Sequence, residues 1–213
     1  MKIHECEQGT PEWLALRAGV VTGSEIDNVL TPGTLKPSKS KAYFHRIVAE
    51  RILGKPIASK DENSFMERGT AMEPEAREWY AYQHSVEVDQ VGFITDDSGR
   101  VGCSPDGLVG IDGGLELKVP SAETHMGYAL DTDTLRDAYR GQTQFFLFVT
   151  GRKWIDLVSY NPSIPPAVVR VTPDEEYQAA LVVALSSFLA RVDEAVLKMG
   201  GDRLARQLTN PFI

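Results

Sequence analysis

Apolar residues keep helical spacing through most of the first 83 residues of this chain, then switch to the two-residue alternation of strands. That switch constrains the fold most, because strands in mid-chain with helical segments on both sides must be covered by helices. Val86 to Thr95 and Arg100 to Cys103 read as strands. Gly107 to Gly110 and Gly114 to Val119 flank Ile111-Asp112-Gly113 and read as a hairpin. Trp154 to Ser159 and Ala167 to Val171 add two more strands. The helices carry their own punctuation. Thr10 caps one that starts at Pro11 and ends by Gly19, and Ser24 opens a short second one. A third covers Lys41 to Leu53, closed by Gly54. A fourth covers Pro74 to Gln83, with a boundary or a kink expected at Pro74, since Pro suits a helix start better than its middle. Leu135 to Val149 forms a fifth, and Thr172-Pro173-Asp174-Glu175 is a capping box for a last helix running to Gly200. The fold class expected is α/β: a central mixed β-sheet flanked by helices, in one domain spanning 1–213.

The chain of 213 residues is 42% hydrophobic, enough for a core without disulfides. Cys6 and Cys103 read as free thiols, and no segment has the length of a membrane span or the apolar run of a signal peptide, so a cytoplasmic protein is expected. The net charge of −8 argues at first against nucleic acid. Its uneven distribution qualifies the argument: a basic segment beside an acidic remainder is by itself a solvated helix face, and becomes a phosphate-binding surface only if a nuclease site lies elsewhere in the chain. Lys36, Lys39, Lys41, Arg46, Arg51, Lys55 and Lys60 face only Glu50 between Thr31 and Lys60, so that segment carries +6 and the remainder −14.

Asp106 is followed, after nine residues, by Glu116-Leu117-Lys118. Glu116 and Lys118 are two apart on a strand and share a face, whereas Leu115, Leu117 and Val119 take the other. Asp106 lies across the hairpin. Two acids and an amine that converge in this way suit phosphodiester hydrolysis, in which carboxylates hold Mg²⁺ and an ammonium orients water or stabilises charge. The spacing is short enough to arise by chance on an ordinary surface hairpin. Gln142 sits on the apolar stripe of its helix, either as a satisfied core amide or as a site residue. Glu73, near a helix start, is either a dipole-favoured acid or a member of the site. No phosphate-cradling loop, zinc-protease motif or serine-nucleophile elbow is present.

Several segments in order resemble the phage lambda exonuclease family, alkaline exonucleases of viral recombination within the PD-(D/E)xK nuclease superfamily. They are Glu12-Trp13 to Arg17 with Gly19, Val21-Thr22-Gly23-Ser24-Glu25, Tyr43-Phe44-His45, Arg68-Gly69 with Glu73, Cys103 to Leu108, Gly114 to Lys118, and Gln142-x-Gln144. The resemblance implies a restriction-endonuclease-like core in residues 61–213 and a helical DNA-end-binding portion in 1–60. It implies Mg²⁺ (or Mn²⁺), two ions per site, held by Asp106, Glu116 and the Leu117 carbonyl. Lys118 would serve the attacking water, with Glu73 and Gln142 completing the site. Arg17, Thr22 and Ser24 would hold the 5′ end, and Trp13 would pack rather than stack on DNA. The Thr31 to Ser40 loop departs from the family pattern; the family's basic residue for the 5′ phosphate falls in it, and Lys36 or Lys39 could substitute for that residue. The expected activity is 5′→3′ digestion of one strand of linear duplex, by a ring-shaped homotrimer of a phage or prophage, leaving 3′ overhangs for a single-strand annealing protein. An endonuclease of restriction or repair type, and a non-catalytic DNA-end scaffold, are the alternatives.

Overall fold

The computed structural model describes residues 1–57 and 64–201, apart from the side chains of residues 64–71. Lys60 and the Arg68 side chain lie outside the described residues. The chain runs β1 (Lys2–His4), α1 (Pro11–Arg17), β2 (Val21–Thr22), a 3-10 turn over Gly23–Asn28, β3 (Leu30–Thr31), β4 (Lys36–Pro37), α2 (Lys41–Leu53) and α3 (Ser64–His84). It continues through β5 (Phe93–Thr95), β6 (Val101–Cys103), β7 (Gly107–Val109), β8 (Gly113–Lys118), α4 (Ala122–Leu130), α5 (Thr132–Ala138) and α6 (Arg140–Thr150). It ends in β9 (Trp154–Asn161), β10 (Ile164–Val171) and α7 (Glu175–Lys198).

Mixed sheets flanked by helices are present, but as two four-stranded sheets rather than one, in the orders β1-β5-β6-β2 and β10-β9-β8-β7. Each contains one parallel pair, β2 with β6 and β8 with β9. Helices α4, α5 and α6 occupy the long crossover that a parallel pair requires. The β7–β8 hairpin forms as the turn chemistry predicts, with Gly107 opposite Leu115 and Val109 opposite Gly113. One face of β8 sends Leu115 and Leu117 into a cluster with Ala76 and Tyr80 of α3 and Val158 and Tyr160 of β9. The larger core lies around Phe145 and Phe146 of α6, Tyr43 and Ile47 of α2, and Tyr177, Leu181 and Phe188 of α7. Strand β8 is thereby enclosed between helices.

Local signals located α1 and α2 well. The Thr10 side chain accepts from the Trp13 N–H, and Gly54 ends α2 with φ 63°. Five expectations need correction. Ser24 does not cap the second helix, which is a 3-10 turn beginning at Gly23 after Thr22. Helix α3 begins ten residues before Pro74 and carries that proline inside it. The Val86 to Thr95 strand contracts to Phe93–Thr95, with one bridge from Asp89 to Leu108. The helix placed at Leu135 to Val149 breaks at Tyr139 into α5 and α6, and α4 precedes them. The last helix is capped by Asp174, not Thr172, because the Asp174 carboxylate is what accepts from the Tyr177 N–H. The Thr31 to Ser40 loop contains the short pairing of β3 with β4, and the first 60 residues contribute β1 and β2 to a sheet as well as helices.

Candidate active site

Asp106 and Glu116 meet because of the hairpin register: with Gly107 opposite Leu115, the next residues outward are these two acids. Three bonds fix Asp106. Its N–H donates to the Leu115 carbonyl at 3.1 Å, its carboxylate accepts from the Leu117 N–H at 2.5 Å, and its carbonyl accepts from Arg77 Nε at 2.9 Å. Glu116 is 5% exposed. Its Oε1 accepts from Lys118 Nζ at 2.7 Å and from Gln142 Nε2 at 2.6 Å, while Gln142 Oε1 accepts from Lys118 Nζ at 3.0 Å. The three side chains form a closed ring of charge-assisted hydrogen bonds between β8 and α6. The Gln142 amide is therefore satisfied, and satisfied by the acids' own cluster. Gln144 is different. It bonds the Thr172 carbonyl, the Asp174 N–H and Gln178, which ties α6 to the start of α7.

The electrostatics match this crowding. Burial, then the neighbouring Glu116, push the Asp106 carboxyl well above its ordinary range, against Lys118 and the Leu117 N–H. Burial also works against the charge of Lys118, but Glu116 and Asp106 outweigh it, and the ammonium is held above its ordinary value. Glu73, on α3, is raised by burial and by Glu116, and lowered by Arg77 and Lys118, so its charge is coupled to the same cluster.

Among the described residues, no three His, Cys, Asp or Glu side chains gather at metal-binding spacing. The hairpin register sets two carboxylates, Asp106 and Glu116, opposite each other, and Leu117 with its carbonyl follows Glu116 on β8. Oxygen donors of this number fit Mg²⁺, which keeps several waters and takes one or two carboxylates plus phosphate. A divalent cation would also relieve the repulsion that lifts Asp106.

Around Ser104, two residues before Asp106, lies a second polar group. Ser104 Oγ accepts from Trp13 Nε1 at 2.8 Å and from Arg17 Nη1 at 3.4 Å. The Arg17 guanidinium lies 4.1 Å from the Trp13 ring centroid, and its Nη2 donates to Ser24 Oγ at 3.5 Å. Trp13 is half-buried, and its Nε1 also donates to the Gly92 carbonyl at 3.2 Å. Among the described residues Arg17 makes no ion pair, and burial lowers its pKa. Ser24 is exposed beside it, but Thr22 is in the core at 5% exposure, with its N–H donating to the Tyr43 hydroxyl at 3.4 Å. Of the basic segment, Arg46 pairs with Glu25 and Arg51 with Asp193, whereas Lys36, Lys39, Lys41 and Lys55 are exposed. Arg140 Nη1 donates to the Pro32 carbonyl at 3.0 Å, anchoring the hairpin that bears Lys36 to the helix that bears Gln142.

Sequence reasoning missed three contributors: Arg77, Ser104 and Tyr139. Arg77 stands four residues after Glu73 on the same helix face, a spacing that could have indicated it. Ser104 sits in the Ser104-Pro105-Asp106 run. The Tyr139 ring centroid lies 4.6 Å from Lys118 Nζ.

Known proteins share this arrangement of elements. The family described as the YqaJ-like viral recombinase domain matches residues 12–153. The crystal structure of an alkaline exonuclease (LHK-Exo) from Laribacter hongkongensis is 32% identical, with a TM-score of 0.79 over 93% of this chain and 100% of that one. Its complex with dAMP matches at 33% identity, the same TM-score and the same coverage. A phage related exonuclease from Haemophilus somnus 129PT shares the fold at 13% identity, with a TM-score of 0.64 over 84% of this chain and 96% of that one. No curated protein matches. The chain belongs to the YqaJ-like viral recombinase family and has the fold of an alkaline exonuclease.

Proposed function

We propose that this protein is a Mg²⁺-dependent exonuclease that digests one strand of linear double-stranded DNA from its 5′ end. The observation that carries the reading is the cluster of Asp106, Glu116, Lys118 and Gln142 in a chain whose fold is that of an alkaline exonuclease. The relative's complex with dAMP supports a deoxyribonucleotide product with its phosphate on the 5′ oxygen. Such a product arises when water attacks phosphorus, the bond from phosphorus to the 3′ oxygen breaks, and that oxygen leaves with a proton. Asp106, Glu116 and the Leu117 carbonyl would hold the metal, two ions in all, with Mn²⁺ a possible substitute. Bound Mg²⁺ supplies positive charge to the phosphate in the transition state. Lys118, protonated at neutral pH, donates to the attacking water or the phosphate and is no base. Glu73 has the raised pKa that suits a carboxylate accepting the water's proton. Gln142 holds Lys118 and Glu116 in register.

Arg17 and Ser24 offer the terminal phosphate a cation stacked on Trp13 and, among the described residues, hydrogen-bonded to the Ser104 and Ser24 hydroxyls. Thr22 supports them from the core. The exposed Lys36 and Lys39 supply further positive charge nearby. Residues 1–60 then serve the DNA end and residues 61–213 the chemistry. A homotrimeric ring threaded by duplex, and a single-strand annealing protein that takes the 3′ overhang, complete this reading. Lysines turned to a channel would reconcile the basic segment with the acidic remainder.

Linear duplex with a 5′ phosphate and a label at either end, incubated with Mg²⁺ beside closed circular DNA, tests the proposal. Early release of the 5′ label, intact circles and an inactive Lys118→Ala variant are expected. Cut circles would establish an endonuclease instead, and DNA binding without any cleavage would establish a scaffold.

A further inference from the structure

Lys118 carries four rotatable side-chain bonds, so fixing its ammonium has an entropic cost that its contacts must offset. Glu116 and Gln142 provide two of those contacts. The third is aromatic: the Tyr139 ring, with its centroid 4.6 Å from Nζ. Tyr139 is also where the backbone departs from local preference. It ends α5 and precedes α6 with φ −120° and ψ 18°, interrupting a stretch whose spacing reads as one helix. Local rules fail most often at functional positions. Tyr128 of α4 meets Tyr139 edge-on, with ring centroids 6.3 Å apart. That edge contact braces the supporting ring.

We propose that Tyr139 is a positioning residue: its ring face holds the Lys118 ammonium against Glu116 and Gln142, and it acts on the reaction only through Lys118. The inference rests on the nuclease reading for its kinetic consequence, but the placement of Lys118 is testable without it. The competing explanation is ordinary packing, since Tyr139 also lies against the cluster of Leu135, Leu157 and Val169.

Tyr139→Phe, Tyr139→Leu and Tyr139→Phe carrying one to three ring fluorines separate the two. The Phe variant should keep kcat within about twofold, and the Leu variant should lose roughly tenfold in kcat with KM for DNA little changed. Added fluorines should lower kcat stepwise, because they remove the negative face of the ring at nearly constant shape. In metal-free protein, NMR should show a ring-current shift on the Lys118 methylenes that the Leu variant loses. Equal loss in the Phe and Leu variants, or fluorination without effect, would overturn the proposal, as would an unchanged Lys118 resonance in the Leu variant. If Tyr139→Leu fails to fold, the shape-conserving fluorinated series still decides. An inactive wild type that nonetheless shows the shifted Lys118 resonance would refute the nuclease reading and leave the positioning intact.

Discussion

Asp106 and Glu116 stand opposite each other across the β7–β8 hairpin. With its carboxyl raised above the ordinary value, ionised Asp106 opposes folding at neutral pH, and the opposition fades as pH falls through the raised value. Asparagine at this position keeps an acceptor for the Leu117 N–H and removes the repulsion. Asp106→Asn is therefore expected to stabilise the metal-free protein by about 1–2 kcal/mol at pH 7–8 and to abolish cleavage. Urea unfolding in EDTA at neutral and at acid pH checks this. The gain should shrink toward acid pH, and a destabilised variant at neutral pH would refute the account. The same logic separates two glutamines on one helix. Gln142 spends its amide on the acids, and Gln144 spends its own on the start of α7.

At the scale of elements, the site depends on how closely α6 approaches β8. Gly114 makes the approach possible: a Cβ there would sit 2.3 Å from Phe146 Cζ. Gly114→Ala should push the Phe146 ring, and with it α6, away from the strand. The expected cost is about 1–3 kcal/mol of stability, with a larger fractional loss of kcat than of DNA affinity because Gln142 moves off Glu116. Chemical unfolding and steady-state kinetics measure both, and unaltered kcat in a folded variant would dissociate α6 from the site. Helix α3 shows the same priority of placement over propensity. Pro74 cannot donate to the carbonyl of residue 70, yet the helix continues through it, so that Ala76 and Tyr80 reach the sheet while Glu73 and Arg77 reach the acids.

Across the whole molecule, charge is segregated. Arg51 and Arg100 share Asp193, which locks α2 and the β5–β6 turn to α7 and removes those cations from the free surface. The exposed cations of that segment are lysines on the β3–β4 hairpin and at the ends of α2. If they meet phosphate, Lys36→Ala and Lys39→Ala should each lower the slope of log affinity against log salt by about one. Stability should be little changed. Binding titrations on linear duplex between low and moderate salt test this, and an unaltered slope in the double variant would place the DNA elsewhere.

Much of this arrangement is local chemistry and could be read directly from the residues. Thr10 and Gly54 delimit their helices because a cap depends on residues within one turn. The β7–β8 hairpin follows from its glycine turn and alternating strands, and alternation alone puts Glu116 and Lys118 on one face. Other features depend on partners distant in the chain. The Thr22 side chain looks available in sequence and is buried by β6 and Tyr43. The break at Tyr139 runs against its helical neighbourhood, at a residue whose ring meets Lys118 and Tyr128. Division into two sheets, extension of α3 through Pro74, and the roles of Arg77 and Ser104 are likewise products of packing. The sequence by itself determined which residues are candidates for the chemistry and how the hairpin presents them. Only the tertiary structure decided what surrounds them, because burial and long-range hydrogen bonds outweigh the small local preferences that a sequence reveals.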